Sequence, residues 1–266
     1  DILLQRLKEI HQKDWIKSKR LDKDHNILDC LAPNCGGYTL EAELGVAPNS
    51  LSAPDFYGWE IKQFNVSNFN TMNGGAITLF TPEPTSGVYI ESGIESFILK
   101  YGYPDHRGRE NRKNFGGIHR YGLTQKLTGL KLIVTGFDPA TDKITDTNGY
   151  IGLVDHNDNL AAGWDFSNLL LHWNRKHNHA CFVPSNSTKN PYLQYRYGSR
   201  ILLCSGTDFT LFLKSLIDLN VYYDPGIKIE YHSSGHFIKR RSQFRIMFKE
   251  LTNLYLKHET VDLLSI

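Results

Sequence analysis

Strand-length and helix-length apolar patterns follow one another irregularly along this chain, and that mixture limits the fold to a sheet with helices packed on it. Residues 2–20 place Ile2, Leu3, Leu7, Ile10 and Ile16 at near-helical spacing and predict a charged amphipathic helix. Residues 21–38 read as loop, and 39–44 as a short helical turn stopped by Gly45 and Pro48. Strands are expected at 56–64 and 75–80, the second stopped by Pro82 and Pro84. A helix is expected at 90–101, then a polar, basic surface loop over 104–117. Strands follow at 118–126, 130–137 and 147–155, a helix at 166–173, and strands near 179–184 and 193–204. A helix at 207–219, strands at 227–232 and 243–249, and a last helix near 250–257 complete the pattern. No internal repeat interrupts it, and the expected class is α+β with a mixed central sheet.

Composition narrows the function classes. With 40% hydrophobic residues in 266, the chain can bury a sizeable core. A net charge of +2 rules out a global polycation, so any nucleic-acid surface must come from local clusters of Lys and Arg. No run of 18 apolar residues is present, so no membrane helix is expected. Cys30, Cys35, Cys181 and Cys204 are too few and too scattered for a disulfide scaffold, which fits a reducing, cytoplasmic location. The sequon at Asn186 would then stay unmodified. His177, His179 and Cys181 alternate along one stretch but lack the spacing of a structural zinc site. Phosphate-binding and dinucleotide glycine motifs and a nucleophile elbow are all missing, so no nucleotide cofactor is expected.

The run Ala53-Pro54-Asp55-Phe56-Tyr57-Gly58-Trp59-Glu60-Ile61-Lys62 carries the chemistry. On a strand, Glu60 and Lys62 project from one face, and Asp55 enters at the preceding turn. Two carboxylates converging with a lysine would hold a hard cation such as Mg²⁺, which polarises a phosphate and acidifies a bound water. Lys62 could orient or deprotonate that water, or offset transition-state charge. A strand face bearing Glu and Lys is otherwise a solvated face with a weak ion pair.

The pattern Pro-Asp-x4-Glu-x-Lys resembles the motif of the PD-(D/E)xK nucleases. The run from Gly37 through Leu51-Ser52-Ala53-Pro54-Asp55 to Lys62 resembles the active-site region of the MvaI/BcnI restriction endonucleases and their relative MutH. Ile77-Thr78-Leu79-Phe80-Thr81 with Pro84-Thr85, and Tyr231-His232-Ser233-Ser234-Gly235 followed by Phe244-Arg245-Ile246, extend the likeness toward residue 250. The resemblance implies a restriction-endonuclease-like sheet flanked by helices, with a DNA-recognition lobe. It implies that Asp55, Glu60 and the Ile61 carbonyl bind Mg²⁺, with Mn²⁺ able to substitute, and that Lys62 positions the nucleophilic water. Glu41, on the helical turn 14 residues before Asp55, would be an auxiliary acid; Glu43 competes for that role at the wrong separation. The expected organisation is a single nuclease domain over 1–266. Its catalytic lobe would cover about 1–105 with parts of 160–220, and its recognition lobe about 106–160 with 221–250.

Two basic segments supply the expected DNA surface. The first carries Arg107, Arg109, Arg112 and Lys113; the second carries His232, His236, Lys239, Arg240, Arg241 and Arg245. Such residues give affinity and register through phosphates. Arg245 is the candidate for reading a guanine edge, whose paired O6 and N7 acceptors an Arg fits. The basic loop here is shorter than in MvaI and lacks its Asp-His pair, so the target sequence is open. The expected activity is site-specific cleavage of double-stranded DNA by a monomer, leaving 5′-phosphates, beside a cognate methyltransferase. A MutH-like methylation-directed nickase and a DNA-binding module that senses modification are the alternatives.

Overall fold

The computed structural model describes residues 2–47 and 54–266. Pro48 and the Leu51-Ser52-Ala53 part of the motif lie outside them. The chain divides into two compact units, one of Asp1–Ile77, Asn174–Asp208 and Met247–Ile266, the other of Thr78–Trp173 and Phe209–Ile246.

The first unit is built on a six-stranded mixed sheet. Its spine is His179–Thr188, buried from Ala180 through Ser185, as befits a strand covered on both faces. Glu60–Asn65 pairs with it in parallel, Ala180 opposite Glu60 and Phe182 opposite Lys62. Gln194–Tyr197 and Arg200–Ser205 run antiparallel to it, and the terminal strand Lys257–Asp262 pairs with Arg200–Ser205. Two helices, Ile2–Gln12 and Cys35–Leu44, contribute Leu3, Leu7, Ile10, Leu40 and Leu44 to a core with Ile61, Cys181, Val183, Ile201 and Leu203. Burying each such side chain stabilises the unit by about 1.5–3 kcal/mol. Gly36 sits where the second helix meets the Glu60–Asn65 strand: a Cβ there would lie 2.9 Å from the Gln63 side chain. The missing side chain is what lets helix and strand approach.

The second unit holds a three-stranded antiparallel sheet of Lys131–Thr135, Tyr150–Val154 and Leu160–Asp165. A four-stranded sheet runs Gly235–Lys239, Gly226–His232, Arg112–Gly116, Tyr103–Pro104. Its core is aromatic, with Trp164, Tyr223 and Phe244 at ring-centroid separations of 4.7–5.4 Å and Phe80 and Phe212 packed onto Phe244.

The α+β class holds, with local corrections. The first helix stops at Gln12 instead of reaching residue 20, because Asp14 turns the chain at φ 55 and Ile16 pairs with Tyr195. The loop expected over 21–38 contains the strand Ile27–Asp29 and the first turn of Cys35–Leu44. The strand expected from residue 56 begins at Glu60. Within the expected loop 104–117, Arg112–Gly116 is a strand because Gly226–His232 pairs with it, and the expected basic loop contains the strand Gly235–Lys239. Residues 118–126 make isolated bridges rather than a strand. Leu160–Asp165 and Lys257–Asp262 are additional strands, the helix expected near 250–257 is a 3-10 helix, Phe248–Leu254, and a further 3-10 turn, Leu263–Ser265, follows. Cys30 and Cys35 form a disulfide, their Cα atoms brought to 5.8 Å where a hairpin strand leads into the second helix. Cys181 and Cys204 are free and buried.

Candidate active site

The site begins with a strand whose two faces differ in chemistry. Ile61 points into the core, while on the opposite face Phe64 stacks on Phe248 at 4.2 Å and Glu60 and Lys62 carry charge. Glu60 is only 3% exposed. Its Oε1 accepts from Lys62 Nζ at 3.0 Å and pairs with Lys176 Nζ at 3.5 Å. Its Oε2 is buried with no hydrogen-bond partner among the described residues. An unmatched oxygen of this kind carries a desolvation penalty that a bound cation would remove.

Asp55 reaches the same place from the turn. Its Oδ2 accepts from the Ile61 backbone N–H at 2.9 Å. Within a strand the N–H and C=O of one residue face the same edge, so the Ile61 carbonyl is directed to the side where Asp55 lies. Burial, then the nearby Glu60 charge, raise the Asp55 carboxyl above its ordinary range, against the Ile61 hydrogen bond and the Lys62 and Lys176 charges. The two carboxylates therefore crowd one another.

The helix Cys35–Leu44 brings in the third acid. Gly45 caps it at φ 78, its N–H returning to the Ala42 carbonyl. Glu41 is half-buried, and burial, then Asp55 and Glu60, push its carboxyl up to about 7. Glu43 behaves differently. Burial would raise it, but hydrogen bonds from Lys13, at 2.5 Å, and Lys19 hold it below its ordinary value. Glu43 is neutralised by the first helix and the hairpin, whereas Glu41 faces the Asp55–Glu60–Lys62 group.

Lys176 is the residue that sequence reading missed. It ends the helix Phe166–His177, far along the chain from the motif, and no local pattern singles it out. Only the pairing of His179–Thr188 with Glu60–Asn65 brings it beside Glu60. Its charge is felt at Glu41 and Asp55 as well. Among the described residues no three or more His, Cys, Asp and Glu side chains form a ready cage for a metal ion. Asp55, Glu60 and a carbonyl are a sparser set, suited to a cation that keeps several waters, such as Mg²⁺.

Parts of the two basic segments, distant in sequence, lie in one sheet of the second unit: Lys113 faces Ile229, and Lys228 faces Lys239, whereas Arg245 lies on the strand Phe244–Met247 of another sheet. Arg107, Arg109, His232, His236, Lys239, Arg240 and Arg241 are exposed. Several have partners within the unit. Arg112 pairs with Glu230 and, at 3.7 Å, with Asp105; Lys113 Nζ donates to the Leu99 carbonyl at 3.3 Å; His236 lies 3.8 Å from Glu95. Arg245, the expected guanine reader, donates to Asp224 Oδ2 at 2.7 Å and is half-buried.

With this geometry in view, comparisons are informative. The sequence profile of the MvaI/BcnI restriction endonuclease family matches residues 4–255. The solved complex of restriction endonuclease MvaI with its cognate DNA substrate superposes with a TM-score of 0.69 at 18% identity, over 97% of this chain and 96% of that one. MvaI in the absence of DNA gives 0.49 at 18% identity, over 98% and 96%. No curated protein matches the chain. At such identity the structural likeness speaks for the fold, restriction-endonuclease-like, while the profile spans nearly the whole sequence. The chain therefore belongs to the MvaI/BcnI restriction endonuclease family.

Proposed function

We propose that this chain performs its family's reaction, site-specific DNA hydrolysis, as a Mg²⁺-dependent cut in duplex DNA at Asp55, Glu60 and Lys62. The observation that carries the assignment is the buried Oε2 of Glu60, without a hydrogen-bond partner among the described residues, beside the crowded carboxyl of Asp55. Asp55, Glu60 and the Ile61 carbonyl would hold the ion, with Mn²⁺ an acceptable substitute. When bound, it supplies Lewis-acid polarisation of the phosphate and a water of lowered pKa.

The protein's own residues do the rest. Lys62, anchored on Glu60, orients the attacking water and offsets charge as its oxygen bonds to phosphorus and the bond to the 3′-oxygen breaks. The products are a 3′-hydroxyl and a 5′-phosphate. Glu41, with a carboxyl that titrates near neutrality, accepts or returns a proton on the water side of the cluster. Lys176 adds a second cation at Glu60 Oε1 and so balances the acid cluster. The exposed cations of the Gly226–His232 sheet hold backbone phosphates. The enzyme would work as a monomer in the cytoplasm, with a methyltransferase protecting the host's own sites.

The test is digestion of unmethylated and methylated plasmid and phage DNA with Mg²⁺, beside EDTA and Lys62→Ala controls, followed by sequencing of the ends. Discrete ends that need Mg²⁺ and Lys62 are expected. Folded protein that cuts neither DNA, or a Lys62→Ala variant that cuts normally, would sink the assignment. Nicks without double-strand breaks would move the reading toward a strand-specific nickase.

A further inference from the structure

The turn that joins Asp55 to Glu60 is built on an unusual residue. Phe56 and Trp59 exchange both backbone hydrogen bonds, Phe56 N–H to Trp59 O at 3.0 Å and Trp59 N–H to Phe56 O at 2.9 Å. Between them Tyr57 has φ 45 and Gly58 φ 84. Two consecutive left-handed residues make the mirror-image two-residue turn, whose first position favours Asn, Asp or Gly. Gly58 satisfies its place without strain. Tyr57 does not, because a Cβ crowds the backbone in the left-handed region.

Most other non-glycine residues at positive φ have evident reasons. Asp14, His25, Asp142 and Asp158 are of the types that tolerate the region, Leu219 closes the C-terminal end of the helix Phe209–Ile217 by donating to the Leu216 carbonyl, and Met72 is buried. Tyr57 is aromatic and 73% exposed, and its ring touches the edge of Phe56 at 4.8 Å between centroids. Its hydroxyl makes no hydrogen bond among the described residues. The turn thus holds a large ring in water, in a conformation that Asn would adopt more easily, directly between two residues of the candidate site. Backbone strain of this kind clusters at active sites and ligand clamps.

We propose that Tyr57 is a substrate-positioning residue whose ring packs on the deoxyribose of a nucleotide flanking the scissile phosphate. This rests on the assignment of the reaction to Asp55, Glu60 and Lys62. A DNA strand placed for attack beside Glu60 must run past the Phe56–Trp59 turn. In a duplex the base faces are covered by their stacked neighbours, and the apolar edge of each deoxyribose is what an aromatic ring contacts without regard to base identity. The rigid, doubly hydrogen-bonded turn presents the ring with little freedom left to lose on binding. Tyr57 therefore sets strand position, leaving sequence choice to other residues.

Three variants decide the matter: Tyr57→Asn, Tyr57→Phe and Lys62→Ala. Melting temperature, affinity for a duplex carrying a mapped cut site with Ca²⁺ in place of Mg²⁺, and steady-state cleavage with Mg²⁺ are measured for each. Tyr57→Asn should melt about 2 °C higher, since the turn is relieved. It should also bind DNA about tenfold more weakly, with the loss appearing mainly in KM. Tyr57→Phe should retain wild-type affinity within about twofold, because the ring makes the contact. Wild-type binding by Tyr57→Asn, or an equal loss in Tyr57→Phe, would overturn the proposal. Normal cleavage by Lys62→Ala would instead overturn the underlying site assignment, so the two failures are distinguishable.

Discussion

The acidic cluster around Glu60 and the basic sheet around Gly226–His232 treat charge in opposite ways. In the first, Glu41, Asp55 and Glu60 are drawn together in a poorly solvated place, and burial with mutual repulsion raises Glu41 and Asp55. Two lysines share one oxygen of Glu60 and leave the other unmatched. In the second, cations lie along an exposed surface, and several meet acids from their own unit: Arg112 with Glu230, Arg245 with Asp224. Unmatched charge held away from water is a demand for a ligand. Charge spread over an exposed sheet is an affinity that salt can screen. Chemistry should therefore be concentrated in a few residues of the first region and binding distributed over many of the second.

The sharpest break between them is Asp55→Asn. We expect cleavage to fall roughly a thousandfold or more, while duplex affinity with Ca²⁺ stays within a few-fold of wild type. Single-turnover rates beside filter binding would check it, and cleavage within tenfold of wild type would remove Asp55 from the metal site.

Glu41→Gln tests the crowding itself. The folded Glu41 carboxyl lies at about 7, above its ordinary 4.5. The native state therefore holds more protons than the unfolded chain between these values. Its contribution to stability falls as pH rises through that window and is most unfavourable above pH 7. Without metal, Glu41→Gln should be more stable than wild type at pH 8 by about 1–2 kcal/mol, the full shift discounted for partial solvent access. At pH 4 the two should match, and Mg²⁺ should narrow the gap at pH 8. Equal melting curves at both pH values would deny the cluster its strain.

Lys176→Met should slow cleavage by about tenfold, because one cation then remains to balance Glu60. An unchanged rate would make Lys176 a bystander. The smallest effect is expected in the basic sheet. Lys239→Ala should lower the slope of log affinity against log salt by about one unit, with the rate at saturating DNA unchanged. Arg112→Ala, whose guanidinium already meets Glu230 and Asp105, should lower it less. Equal slope changes would mean that the intramolecular pairs open on DNA.

How far the site was legible follows from the range of the interactions involved. Glu60 and Lys62 share a face because strand geometry repeats every two residues, and Asp55 could be placed at the entry turn. That the strand begins at Glu60, after a turn with Tyr57 in the left-handed region, was not legible, since Phe56–Trp59 read as one more alternating run. Arg112–Gly116 read as a polar loop because only Phe115 and Gly116 are buried, and its partner lies far away at Gly226–His232. Cys30 and Cys35 read as scattered, although the hairpin and helix between which they lie bring them within bonding distance.

The sequence by itself determined the α+β class, the Asp55, Glu60 and Lys62 motif, the two basic segments and the family resemblance. The first three rest on periodicity and spacing within short stretches, which the backbone enforces locally, and the resemblance rests on residue runs matched in order. Tertiary structure alone decided that Lys176 joins Glu60, that Glu43 is neutralised by Lys13 and Lys19 while Glu41 is not, and that Arg112 and Lys113 share a sheet with His232, His236 and Lys239. Each of those outcomes depends on which strands pair and which helix crosses them. Such pairings follow from burying one shared core, a property of the whole chain that no short window of sequence contains.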